Sequence, residues 1–129
     1  MKTLAIDVGT GTQDILLYDD TKELENGIKL VLPSPHLYIA QLIKDVDNDI
    51  YFNGEIMGGG KLKRRILEHM DEGYNCVMER HCAKTIRDDV NEVASYGIEI
   101  VNENKDYSGY SKISLGDMDI EKLSSLIYA

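Results

Sequence analysis

The fold of this chain is decided by one stretch near its start, Asp7-Val8-Gly9-Thr10-Gly11-Thr12-Gln13-Asp14. Residues 3–8 before its glycines alternate and favour a β-strand, and the apolar run of residues 14–18 favours a second strand. Two strands joined by a short loop containing glycine predict a β-hairpin. The same loop brings carboxylate, hydroxyl and glycine residues close together, so it is also the first candidate for a functional site.

Downstream of the hairpin, strands and helices alternate. Ser34 followed by Pro35 predicts a helix start, and Gly73 and Gly97 predict two helix ends. Apolar periodicity predicts further strands at 28–32, 50–52, 74–78, 98–101 and 113–115, and helices from 35, over about 61–72, within 83–96 and from about 119. The resulting order, β-β-β-α-β-α-β-α-β with a tail, predicts an α/β domain with one mixed sheet, three antiparallel strands being followed by β-α units. This is the order of the ribonuclease-H-like fold.

Length and composition fit one compact domain over residues 1–129. The chain has a mass of 14.5 kDa, is 43% hydrophobic and carries 23 acidic against 14 basic residues, a net charge of −9. It has no apolar run long enough for a membrane span, and Asp7 interrupts any signal-peptide pattern. Two cysteines fit a reducing compartment, so we expect a cytoplasmic protein without a membrane partner. The acidic balance argues against nucleic-acid binding.

The hairpin loop has the chemistry of a phosphate site. Gly9 and Gly11 let the backbone turn tightly and approach a ligand, and successive N–H groups in such a turn suit phosphate oxygens. Thr10 and Thr12 add hydroxyl donors, and Asp7 at the end of the strand is placed to hold Mg²⁺. A structural alternative is that these residues simply make a tight hairpin.

This loop resembles the first phosphate motif of the superfamily of sugar kinases, heat-shock chaperones and actin. More closely, the chain resembles the N-terminal part of an uncharacterised archaeal family with an actin-like ATPase domain, some members of which are labelled pyruvate formate-lyase activating enzymes. The resembling stretches are Ile6–Asp14, Met57–Gly60, Thr85–Asp89 and Leu115–Asp117. The resemblance implies ATP and Mg²⁺ as ligands and a second lobe that closes the nucleotide cleft. It therefore implies that the chain is the first lobe of a longer protein.

Two departures from the pattern limit what the resemblance implies. The position after the threonines is often a lysine or arginine in the superfamily, and here it is Gln13 followed by Asp14. Phosphoryl transfer needs cationic stabilisation, so ATPase or kinase turnover is an open question. An activating enzyme of the radical type needs three closely spaced cysteines for its iron–sulfur cluster, and only Cys76 and Cys82 are present. We therefore expect no iron–sulfur cluster.

Weaker candidates each have a structural explanation beside the functional one. The Gly58–Gly60 run before Lys61 fits an anion site at a helix start, but a flexible turn before a solvated basic face is the favoured interpretation. Extra carboxylates for a metal-dependent nuclease would come from Asp88, Asp89, Asp117 and Asp119, which fit solvated helix or capping positions better. Cys76, His81 and Cys82 match no zinc spacing.

Two functional hypotheses remain. In the first, the chain binds Mg-ATP at residues 7–12, and a second lobe or partner subunit completes the site. In the second, a non-catalytic domain has kept the fold and the hairpin and works by associating with other proteins.

Overall fold

The computed structural model describes residues 1–9, 11–56, 58–102 and 107–116. It is a mixed α/β structure, as predicted. The strands are β1 Lys2–Val8, β2 Thr12–Asp19, β3 Ile28–Pro33, β4 Ile50–Glu55, β5 Cys76–Glu79, β6 Glu99–Val101 and β7 Ser111–Gly116. The helices are α1 Pro35–Asp45, α2 Lys63–Asp71, α3 Arg80–Ile86 and α4 Val90–Ser95, with 3₁₀ turns at Leu24–Asn26 and Gly59–Lys61.

The chain divides into two compact units, Met1–Tyr38 and Ile39–Ala129. The first contains the predicted hairpin and its third strand, an antiparallel sheet in the order β1-β2-β3. Its register places Ile6 opposite Ile15 and Ile15 opposite Leu30, so that one face is apolar. Ile15 at the centre of that face is buried.

The second unit is built on a parallel sheet in the order β6-β5-β4-β7. Its central strands are short apolar runs, as expected for parallel strands that are buried. One face packs against residues of α1–α4 and forms a core that includes Ile43, Phe52, Ile66 and Met78. The other face carries Tyr51, Val77 and Val101, against which Tyr107 and Tyr110 pack.

The predicted single mixed sheet is divided in the structure. β4 pairs with β5 along one edge and with β7 along the other, so both of its edges are already occupied by strands of the second unit. The three antiparallel strands form a sheet of their own among the described residues. The coarse α/β prediction is therefore confirmed, and the finer ribonuclease-H-like assignment stays a prediction.

The single helix predicted within 83–96 is wrong, because two helices occupy that segment. α3 ends at Ile86, Arg87 has extended backbone angles, and Asp89 begins α4. The predicted closing helix from residue 119 lies outside the described residues. Within the part of the chain that the structure describes, the helices are too short or too polar to cross a bilayer.

Candidate functional site

The Asp7–Asp14 stretch forms the predicted hairpin, with Val8 opposite Gln13 as its last strand pair. The loop between the strands is closed by the Gly9 N–H, which donates to the Thr12 carbonyl at 2.9 Å. A Cβ at Gly9 would stand 3.1 Å from that same carbonyl oxygen, so a side chain there would crowd the turn. Thr10 lies outside the described residues.

Gly11 links the loop to the start of α1. Its carbonyl accepts a hydrogen bond of 3.0 Å from the Ser34 N–H, and a Cβ on Gly11 would meet nothing within 4 Å. Ser34 in turn caps α1 as predicted, since its Oγ accepts from the Leu37 N–H at 3.4 Å. The loop is thus fixed on the side of Ser34 and open around the Gly11 α-carbon.

Asp7, Thr12 and Asp14 share one face at the loop end of the sheet. Asp7 is directly opposite Asp14 in the strand register, and Thr12 is two residues before Asp14. All three side chains are exposed. Like charges directly opposite one another destabilise an antiparallel pair, so this arrangement is one that a bound cation would stabilise.

The Gln13 side chain has a structural role in the sheet. Its Nε2 donates to the Pro33 carbonyl at 3.0 Å, which ties β2 to the end of β3. It lies on the face opposite to Asp7 and Asp14, because side chains alternate along a strand. The side chain that follows the threonines is therefore a structural amide.

In the second unit, the glycine turn at residues 58–60 packs against the end of α3. Gly58 has a φ of +69°, and a Cβ on Gly59 would stand 2.9 Å from the Thr85 carbonyl oxygen. A Cβ on Gly60 would stand 2.6 Å from Arg87 Nη1. Two of the stretches that carried the resemblance thus meet in space. The positive φ of Gly58 and the backbone contact at Gly59 explain those two glycines without a ligand, whereas a Cβ on Gly60 would be crowded only by the end of the flexible Arg87 side chain.

Of the remaining aspartate candidates, the structure gives a structural role to Asp89. Asp89 accepts from the Asn91 N–H at 2.9 Å and caps α4, so its predicted mid-helix position is wrong. Asp88 is exposed between α3 and α4, and it too is outside a helix. Asp117 and Asp119 lie outside the described residues. Among those residues, no three His, Cys, Asp or Glu side chains are grouped as a metal site requires.

Both cysteines are buried thiols. Burial raises the pKa of Cys76 to about 12, with a further contribution from Asp49. Burial likewise raises the pKa of Cys82 to about 12, and the carboxylates of Glu79 and Glu55 add to the effect. Because the thiolate is the form that binds metals and attacks electrophiles, neither cysteine is suited to that chemistry at neutral pH.

The sequence analysis did not identify one group of side chains, Tyr51, Glu79 and His81, as neighbours. Glu79, at the last position of β5, is 7% exposed and its Oε2 accepts from the Tyr51 hydroxyl at 2.8 Å. His81 Nε2 lies 4.0 Å from Glu79 Oε1. The available clue was an acidic residue that directly ends the apolar run Cys76-Val77-Met78. The tyrosine is 28 residues away in the sequence, so only the pairing of β4 with β5 brings it there.

Comparison with models of known protein families found a match to this chain. A family model described as "Putative pyruvate format-lyase activating enzyme (DUF1786)" matches residues 57–129, which is more than half of the chain. Neither the curated proteins nor the solved structures contain a significant match to the chain.

Proposed function

The chain belongs to the DUF1786 family, and we propose that this member is the phosphate-binding lobe of an actin-like ATPase or kinase that binds Mg-ATP at residues 7–12. The observation that carries the proposal is the shared face of Asp7, Thr12 and Asp14 beside the open glycine loop. Backbone N–H groups and hydroxyls suit the phosphates, and carboxylates suit the metal.

The residues present fit a magnesium ion. Asp7 is the ligand we assign, and the facing Asp14 carboxylate adds negative charge at the same end of the hairpin. The phosphates would be bound by Gly9, Thr10, Gly11 and Thr12. When bound, the ion supplies positive charge that neutralises the phosphate oxygens. The chain's own contribution is to position the nucleotide.

Turnover in this proposal needs a second lobe or a partner subunit. The Gln13 side chain is a neutral amide that donates to the Pro33 carbonyl, and it supplies no positive charge to the terminal phosphate. Phosphoryl transfer depends on such charge. We therefore assign ligand binding to this chain and leave the catalytic step to residues beyond it.

The activating-enzyme description of the family does not fit this chain's residues. The iron–sulfur cluster of such enzymes is held by three cysteine thiolates, and the sequence supplies two cysteines in all. Both are buried, with the pKa of each raised to about 12. We derive no step through an iron–sulfur cluster.

A thermal-shift titration with Mg-ATP and Mg-ADP tests the proposal. We expect the Tm of the chain to rise with nucleotide concentration, and we expect Asp7→Ala to abolish the rise, because binding to the native state stabilises it. Asp71→Ala is the matched control, since Asp71 is an exposed carboxylate at the end of α2. An Asp7→Ala variant that responds like the unsubstituted chain would contradict the assignment.

A second candidate, association with another protein, is favoured by the apolar face of the first sheet. Leu4 and Ile28 lie on that face, and they are 47% and 46% exposed. Exposed apolar patches on soluble proteins commonly mark interaction sites. Sedimentation of the same samples separates the candidates: nucleotide-independent self-association that Leu4→Ser abolishes would favour this one.

A further inference from the structure

The first sheet has two outer edges, one on β1 and one on β3, because β2 lies between these strands and pairs with both. Within the part of the chain that the structure describes, neither outer strand pairs with a further strand. An unpaired edge presents backbone N–H and C=O groups to which another strand can bond. The hydrogen bonds of β1 and β3 to β2 decide which of these groups face outward.

The outer edge of β1 offers a complete row of donors and acceptors. The Met1 carbonyl accepts from the Asp20 N–H at 3.1 Å, and the Gly9 N–H donates to Thr12, so the odd-numbered residues of β1 bond to β2. Hydrogen-bonded and non-hydrogen-bonded pairs alternate in an antiparallel ladder. The backbone groups of the even-numbered residues therefore face outward, and these residues are Lys2, Leu4, Ile6 and Val8.

The outer edge of β3 is protected against such pairing. The Ser34 N–H donates to the Gly11 carbonyl at 3.0 Å, so the even-numbered residues of β3 bond to β2 and the odd-numbered ones face outward. Pro33 takes one of the outward positions and has no N–H to donate. Proline is one of the devices by which natural sheets protect their edges, and β1 contains none. The edge that a further strand can join is therefore that of β1.

The β1 edge is accessible, and its two ends carry opposite charges. Six of the seven residues of β1 are exposed, and Ile6 is half-buried. Lys2 begins the strand and Asp7 stands next to its last residue. A parallel copy of the strand would bring lysine to lysine and aspartate to aspartate, whereas an antiparallel copy brings unlike charges to the same end. The charges thus favour an antiparallel copy of β1 as the occupant.

One antiparallel register pairs every outward backbone group. In this register Ala5 lies opposite Ala5 of the second copy, on the two-fold axis. The outward-facing pairs are then Lys2 with Val8 and Leu4 with Ile6. Each of the four outward N–H groups in either copy has a carbonyl acceptor across the axis. A shift to the next register on either side leaves the backbone groups of Lys2 or of Val8 without a partner.

The side chains in this register are compatible with one another. A two-fold axis perpendicular to the sheet keeps the apolar faces of both copies on the same side, so Leu4 contacts Ile6 of the second copy. On the other face, the hydroxyl of Thr3 comes opposite the carboxylate of Asp7, which accepts its proton in a hydrogen bond. The register therefore places no like charges opposite one another.

We propose that β1 pairs with β1 of a second copy of this chain in this register and forms a symmetric dimer. The two three-stranded sheets become one sheet in the order β3-β2-β1-β1-β2-β3. Their apolar faces, on which Leu4 and Ile28 are exposed, become continuous. The inference rests on the association candidate above, to which it gives a partner and a contact, and it involves no nucleotide.

Sedimentation of the full chain without nucleotide tests the dimer. We expect the average mass to rise from 14.5 kDa towards twice that value as the chain concentration is raised to about 1 mM, since small interfaces give weak, concentration-dependent complexes. Leu4→Pro removes an outward N–H and places a ring between the strands, so it should leave the chain monomeric. Val31→Pro is the matched control, because Val31 is an exposed outward position on β3, and it should dimerise like the unsubstituted chain.

Substitutions at Ala5 test the register. Ala5→Glu places two carboxylates opposite one another on the axis and Ala5→Lys two ammonium groups, so each variant alone should dimerise more weakly than the unsubstituted chain. A mixture of the two variants should pair about fivefold or more tightly than either does with itself, since like and opposite charges at facing positions act in opposite directions. Ala5 and Leu4 lie on opposite faces of the sheet, so an association through the apolar faces would not respond to these changes.

A mass of 14.5 kDa at every concentration would overturn the proposal. So would a dimer that Leu4→Pro leaves intact, or a mixture of Ala5 variants that pairs no more tightly than its components. Circular dichroism should show each variant folded, and Lys2→Pro, at the first position of the strand, replaces Leu4→Pro if that variant is not. The Mg-ATP proposal is measured by a shift in Tm, so failure of either proposal is seen separately from failure of the other.

Discussion

At Gly54 the backbone of β4 has a φ of +82°, and a Cβ there would stand 2.1 Å from the Leu115 carbonyl oxygen of β7. Gly109 has a similar φ of +87°, but a Cβ on it would meet nothing within 4 Å. Both positions need a residue that tolerates positive φ. At Gly54 the absence of a side chain also lets β4 and β7 pair.

We expect Gly54→Ala to lower the free energy of unfolding by about 3 kcal/mol or more, and Gly109→Ala by about 1 kcal/mol, since strained backbone alone costs of order 1–3 kcal/mol. Urea unfolding measures both values. Because the two variants share the strained φ, their difference isolates the backbone contact with Leu115. Equal losses would show that β7 does not approach β4 as described.

The two buried thiols make the folded state less stable at alkaline pH. Burial raises the pKa of Cys76 and Cys82 from the ordinary 9.0 to about 12. Between these values the folded chain holds protons that the unfolded chain has lost, so stability falls as the pH rises from about 9 towards 12. The Tm should fall across this range, and Cys82→Ala should reduce the slope. A slope that is the same in both proteins would contradict the assignment.

At the scale of elements, the break between α3 and α4 separates two adjacent aspartates with different roles. Asp89 accepts from the Asn91 N–H and caps α4, whereas Asp88 is exposed just before it. We expect Asp89→Ala to lower the free energy of unfolding by about 1 kcal/mol, the usual value of an N-cap. Asp88→Ala, measured by the same urea titration, should change it little. If one continuous helix were present, the two substitutions would have similar effects.

At the scale of the whole molecule, the two units differ in how far their strands are buried. No residue of β1 is buried, whereas three residues of β4 and all four of β5 are. Local opening is easiest where few buried contacts hold the backbone. Hydrogen exchange followed by mass spectrometry should therefore show faster exchange in β1 than in β4 and β5. Equal protection of these strands would contradict this expectation.

Local signals in the sequence predicted most of the individual elements. The glycine-containing loop between apolar strands gave the hairpin, Ser34-Pro35 gave the start of α1, and Gly73, with a φ of +103°, marks the end of α2. Each of these signals involves residues only a few positions apart, so a short segment of sequence is enough to predict the element. The break before Asp89 was missed because Ile86, Val90 and Val93 keep a helical spacing across it.

By itself, the sequence determined the α/β class, the hairpin, and the presence of a carboxylate and glycines in its loop. The pairing of strands was decided by the tertiary structure. A single mixed sheet would need a free edge of β4 for the antiparallel strands, but β7, which is more than 50 residues away in the sequence, pairs with that edge. Tertiary structure also tied Gln13 to Pro33 and placed Tyr51 on Glu79. A carboxylate's partners depend on which strands are neighbours, and no local pattern encodes that choice.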